Sequence, residues 1–146
     1  MKMKTCSYSS IIRNSGIYDI VVMLPFAIPG VVEWTMAQLQ SIHNSLSLSG
    51  SIPEFLPFHF LFINIMALIT IVWSVLRVRN PIPIYAVYDT MVRILIAVTM
   101  LIYLVHYNVT EILWLFFVAE VFWAALQING YYYKYKNQGE PIAKAA

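Results

Sequence analysis

Residues 58–76 read FHFLFINIMALITIVWSVL, and no Asp, Glu, Lys or Arg interrupts them. As a helix the stretch rises about 28 Å at 1.5 Å per residue, close to the ~30 Å hydrocarbon core of a bilayer. It lacks the alternation of a membrane β-strand, and irregular backbone would leave amides without partners in lipid. The stretch therefore reads as a transmembrane helix. Directly after it comes RVRNPIP, residues 77–83, whose two arginines and two prolines mark a tight basic turn between one span and the next.

Working outward, three further apolar segments run from about Ile17 to Leu39, from Ile84 to Val105 and from Ile112 to Tyr133. A polar stretch, Ser41–Pro57, and a short link, His106–Glu111, complete the connections. The expected architecture is all-α: an integral-membrane four-helix bundle over residues 17–133, left-handed in its packing, between tails 1–16 and 134–146. Composition agrees, since apolar residues make up 60% and charged residues 11%, against about 25% charged in soluble domains. So few charges do not cover a soluble surface of this size. The tail after Lys134, with Gln138, Gly139 and Pro141, reads as disordered.

The first segment is the least apolar, with an uncharged run of only Ile20–Val32. Lys2, Lys4 and Arg13 give it the look of a signal peptide. Asp19, Pro25 and Pro29 inside the apolar region, and the lack of a small-residue cleavage site after it, argue instead for a retained helix kinked by Pro25 and Pro29. The single cysteine, Cys6, stands apart from any charged or metal-binding partner and reads as an inert thiol.

Orientation follows from charge. All nine Lys and Arg residues fall on one side of a four-span arrangement: Lys2, Lys4, Arg13, Arg77, Arg79, Lys134, Lys136 and Lys144 flank the spans, and Arg93 lies in the near half of the third. The positive-inside rule then places both termini in the cytoplasm. Tyr131–Tyr133 and Tyr135 form an aromatic anchor at the same face. No basic cluster interleaved with aromatics suggests nucleic acid.

Ionisable residues within lipid are costly and mark function by default. In the first segment, Asp19, Glu33 and Gln40 share one stripe at helical spacing, either as interfacial end residues or as part of a polar interior. Asp89 and Arg93, four apart, can pair on one face, as a structural tie with Asp19 or as part of a proton or anion path. Glu120 lies about 12 Å inside the fourth segment, with Gln127 two turns along the same face. Asn64 in the second segment is expected at similar depth, so Glu120 and Asn64 form either a polar clasp between helices or a proton- or ligand-binding site. His43, His59 and His106 fall on the outer side with Glu33, Glu54 and Glu111, but without the spacing of a metal site. They are weak candidates, and no metal is expected. Asn108-Val109-Thr110 fits a glycosylation sequon that counts only in a secretory-pathway host. No nucleophile elbow, Walker loop or CxxC motif argues for catalysis.

Several stretches carry a resemblance: Ser15-Gly16-Ile17-Tyr18-Asp19, Pro25-Phe26-Ala27, Phe62-Ile63-Asn64, Val72-Trp73-Ser74 with Arg77, Asn80-Pro81, Tyr88-Asp89 with Arg93, and Glu120 with Trp123 and Gln127. They resemble an uncharacterised group of small four-helix bacterial inner-membrane proteins, similar in layout to the DoxX-like proteins. The resemblance implies a bacterial inner-membrane bundle, with Asp19, Asn64, Arg77, Asp89, Arg93, Glu120 and Gln127 as matching polar positions and no activity to transfer. Ala67 departs from the glycine expected there. Three function classes stay open. The first is a non-enzymatic accessory protein of envelope or membrane-energy homeostasis, which binds a membrane partner or its own copies. The second is a small proton-coupled carrier using Glu120 and the Asp89/Arg93 pair. The third is a DoxX-like redox subunit, in which Trp73, Trp114, Phe117 and Trp123 line a quinone slot; no other cofactor is expected.

Overall fold

The computed structural model describes residues 8–138. They form five helices: α1 Tyr8–Ala27, α2 Val31–Ser45, α3 Pro57–Arg79, α4 Pro83–His106 and α5 Leu113–Gln138. Among the described residues there is no strand, only one isolated bridge between Ser51 and Val109. Helices α3 and α4 and the first part of α5, to Tyr135, are each long and apolar enough to cross a membrane. Helices α1 and α2 meet that measure only together.

Side-chain placement is inverted relative to a soluble protein. Ser74 and Arg77 are fully buried, and Asp89, Arg93 and Gln127 are almost so. Val21, Leu95, Val105 and Leu115 stand outward and largely exposed. A chain in water would bury its leucines and solvate its arginines. This one is a multi-pass membrane protein.

The first expected span is corrected. In place of one kinked helix over 17–39, α1 begins at Tyr8 and ends at Ala27, and α2 leaves it at 102°. The reason is local. Pro25 and Pro29 both lack an amide hydrogen, and Gly30 takes φ +84°, a conformation that favours glycine. The break leaves the Gly30 amide free of the helical ladder, and the Glu33 carboxylate accepts it at 2.6 Å. At the other end of the chain, α5 continues to Gln138 where disorder was expected after Lys134. Cys6 and the remainder of both expected tails lie outside the described residues.

Contacts fix the directions of the helices. Phe26 meets Asn64, and Gly16 meets Ser74 and Val78, so α1 runs antiparallel along α3. A Cβ at Gly16 would come within 3.0 Å of Ser74 O and of Val78 Cγ2, which shows how closely the two backbones approach. Tyr8 packs on Gly130 and Tyr131, and Tyr18 on Trp123, so α1 is antiparallel to α5 as well. Helices α4 and α5 form the second close pair, while α1 touches every other helix. The starts of α1 and α4 and the ends of α3 and α5 therefore share one end of the molecule.

At the opposite end the loops are tied together. Ser51 N donates to Asn108 O, Thr110 N to Ser51 O, and Glu111 N to Ser49 O, each at 3.1–3.2 Å. Gly50 permits this, because its φ is +83° and a Cβ there would lie 2.2 Å from Val109 O.

Candidate functional site: a buried ion network

Each helix of the bundle presents one stripe of small and polar residues inward. On α1 it is Ile12, Ser15, Gly16 and Asp19; on α3 it is Asn64, Ala67, Ser74 and Arg77. On α4 it is Ala86, Asp89, Arg93 and Ala97, and on α5 it is Glu120, Ala124 and Gln127. The spacing of three, four and seven keeps each set on one helix face, and the small members let long charged side chains meet between the helices.

Arg77 and Arg93 sit at the centre. Arg77 is fully buried. One of its terminal nitrogens donates to Asp89 Oδ2 at 2.7 Å and to Ser15 Oγ at 2.9 Å. The other donates to the Asp19 carboxylate and, at 2.9 Å, to Ser74 Oγ. Arg93 donates from Nε to Asp89 Oδ2 at 2.9 Å, from one terminal nitrogen to Glu120 Oε2 at 2.8 Å, and from the other to Asp19 Oδ2 at 2.6 Å. Gln127 adds donors to Asp89 Oδ2 at 2.7 Å and to Ser15 Oγ at 3.0 Å, and its carbonyl accepts from Thr90 Oγ1 at 2.7 Å. Trp73 Nε1 donates to Asp89 Oδ1 at 3.1 Å. One continuous network thus joins α1, α3, α4 and α5. Charged donors on charged acceptors make its hydrogen bonds stronger than neutral ones.

Of the residues singled out in the sequence, Asp19, Asp89, Arg93, Glu120 and Gln127 meet here. Asn64 does not. Its amide donates to Phe26 O at 2.8 Å, a carbonyl near the end of α1. The expected clasp between Asn64 and Glu120 is therefore absent, and each has another partner. Glu33 also stands outside the network, exposed beyond the break, where it holds the Gly30 amide. The helical stripe that linked it to Asp19 ends at Pro29.

The histidines lie apart from the network and from one another. His43 Nδ1 is hydrogen-bonded to Thr110 Oγ1 at 2.8 Å, His59 Nδ1 accepts the Leu56 amide at 3.0 Å, and His106 closes α4. Among the described residues, no three His, Cys, Asp or Glu side chains are grouped to hold a metal ion. The aromatics proposed for a quinone slot are distributed. Trp73 faces Asp89, Trp114 packs edge-on against Phe117, and Trp123 packs against Tyr18.

Sequence reasoning placed Arg77 in a turn, yet α3 continues through Arg79 and Arg77 becomes the most enclosed charge in the bundle. Ser15 and Ser74 were not singled out as members of a polar interior, and Trp73 was named for a quinone slot rather than as a donor to Asp89. The available signal was the small-polar stripe Asn64, Ala67, Ser74, Arg77, which continues the face of the second apolar segment beyond its last leucine.

Comparison with family models, with curated proteins and with solved structures finds no match to this chain.

Proposed function

We propose that the chain is a non-enzymatic accessory protein of the bacterial inner membrane, acting through contacts with a membrane partner or with its own copies. The observation that carries this reading is the pairing of the interior charges with one another. Each of the five takes part in at least one ion pair of 2.9 Å or less, while the surface offered to neighbours is apolar. A side chain held by two or three ionic partners fixes helix positions, and rigid helices present a constant face to a partner. In this reading α1 is the fourth span, since it runs beside α3 from Val78 to Asn64. Helix α2 then lies across the far surface. Both termini face the cytoplasm, consistent with Arg13, Arg77, Arg79 and Lys134 at one end and Glu33, Glu54 and Glu111 towards the other.

One observation favours a second reading, a proton-coupled carrier. The Glu120 side chain keeps 17% of its surface open, more than any other member of the ion pairs. The two readings separate in proteoliposomes under an imposed pH gradient. The accessory reading expects wild type and Glu120→Gln to match empty vesicles. Proton flux in wild type that Glu120→Gln or Asp89→Asn abolishes would overturn it and establish the carrier.

A further inference from the structure

The interior charges do not balance. Asp19, Asp89 and Glu120 bring three carboxylates, and Arg77 and Arg93 bring two guanidinium groups, so one negative charge is in excess. An uncompensated buried ion is among the costliest groups a fold can hold, and neutralisation is its usual outcome. No grouping of three candidate ligands is available among the described residues to hold a metal cation. A proton on one carboxylate supplies the missing charge without a coordination shell.

The donors are distributed unevenly. Asp89 receives four: Arg77, Arg93 and Gln127 on Oδ2, and Trp73 on Oδ1. Asp19 receives both guanidinium groups on Oδ2. Glu120 receives Arg93 alone, and its side chain is the least enclosed of the three. Facing it from the helices packed around it are Asp19 and Tyr18 on α1, Asp89 and Arg93 on α4, and, through the network, Arg77 on α3.

We infer that the network binds one exchangeable proton, seated at Glu120, which brings its charge to zero. Uptake converts the Glu120 carboxylate to a carboxylic acid with a proton from water. Release returns the excess charge beside Asp19 and Asp89 and restores the full ion pair between Glu120 and Arg93. This inference rests on the network being enclosed by lipid-facing helices, and it holds whether the protein is an accessory subunit or a carrier.

The test counts protonated carboxyl groups by infrared spectroscopy of the purified protein in lipid nanodiscs at pH 7, using the carboxylic-acid carbonyl band and its shift in heavy water. The count follows acids minus bases. Wild type has one such group, and Glu120→Gln has none. Asp89→Asn also has none, because two carboxylates then face two guanidinium groups. Arg77→Gln has two. Glu120→Gln keeps the side chain's shape at the rim and folds under this account, so the comparison with wild type does not depend on the more central variants. A wild-type spectrum without the band, or a band that survives in Glu120→Gln, overturns the inference. Neither result bears on vesicle flux, so failure here is separable from failure of the proposed function.

Discussion

Replacing Arg77 by Met tests the network at its most enclosed point. The substitution keeps an unbranched apolar chain of similar reach and removes donors to Asp89, Ser15, Asp19 and Ser74 together. Asp19 and Asp89 are left facing Arg93 alone, with Glu120 also on that guanidinium. Stripping one partner from a buried ion pair costs about 3–5 kcal/mol, which lowers the folding equilibrium by roughly two to three and a half orders of magnitude. That is a large part of the ~5–15 kcal/mol of a typical domain. The assay is reversible unfolding in mixed detergent micelles, followed by circular dichroism. The companion variant, Arg77→Met with Asp89→Leu, removes one charge of each sign and returns the net charge to that of wild type. The pair is expected to be less destabilised than the sum of its singles by about 0.5–3 kcal/mol, the range for residues in contact. Strict additivity, or an Arg77→Met variant within 1 kcal/mol of wild type, would refute the central role given to this guanidinium.

Other expectations follow from single contacts. Asn64→Leu leaves Phe26 O without its donor and is expected to cost about 1–3 kcal/mol, the penalty of an unsatisfied buried carbonyl, measured in the same unfolding assay. Gly50→Ala introduces a Cβ 2.2 Å from Val109 O at a φ of +83°; the tie between residues 49–51 and 108–111 should open, with faster amide exchange at Ser51 and Thr110 while the ion network stays intact. Gly16→Leu drives a side chain into Ser74 and Val78 and should separate α1 from α3, read as lost cross-linking between cysteines placed at Phe26 and Asn64. Reporter tags inserted near His43 and near Arg79 should face opposite compartments; a shared compartment would remove the proposed topology.

The helices that face lipid were the easiest to read. An uncharged run such as 58–76 has one stable form in a bilayer, so its composition alone defines α3 over most of its length. The site was partly legible for the same reason, since Asp89, Arg93 and Glu120 are conspicuous against their apolar neighbours. Two things were not legible. Pairing between helices depends on which stripes meet: Asn64 bonds Phe26 O near the end of α1, whereas Glu120 bonds Arg93 beside Asp19, about two turns earlier on α1. The angle at a proline is also not written in the segment: Pro25, Pro29 and Gly30 mark a disturbance, and the structure turns there by 102° with Glu33 accepting the freed Gly30 amide.

Helix α1 explains why low hydropathy misled. Its weakness as an apolar run, with Arg13, Asn14, Ser15 and Asp19 among its residues, suggested a marginal span beginning only at Ile17. Yet α1 is the helix that touches all the others; the face it turns to them carries its polar residues, while Ile17, Val21 and Leu24 stand exposed on the other. Its polar residues supply what the neighbours lack: Ser15 accepts from Arg77 and Gln127, and Asp19 accepts from both arginines. The same logic accounts for Arg77 and Arg93 on α3 and α4, which have outer faces of isoleucine, leucine and valine and inner faces that α1 makes habitable for charge. Helix α1 is therefore the element on which the other helices converge, and its Asp19 carboxylate, with Asp89 on α4, keeps the two buried guanidinium groups side by side.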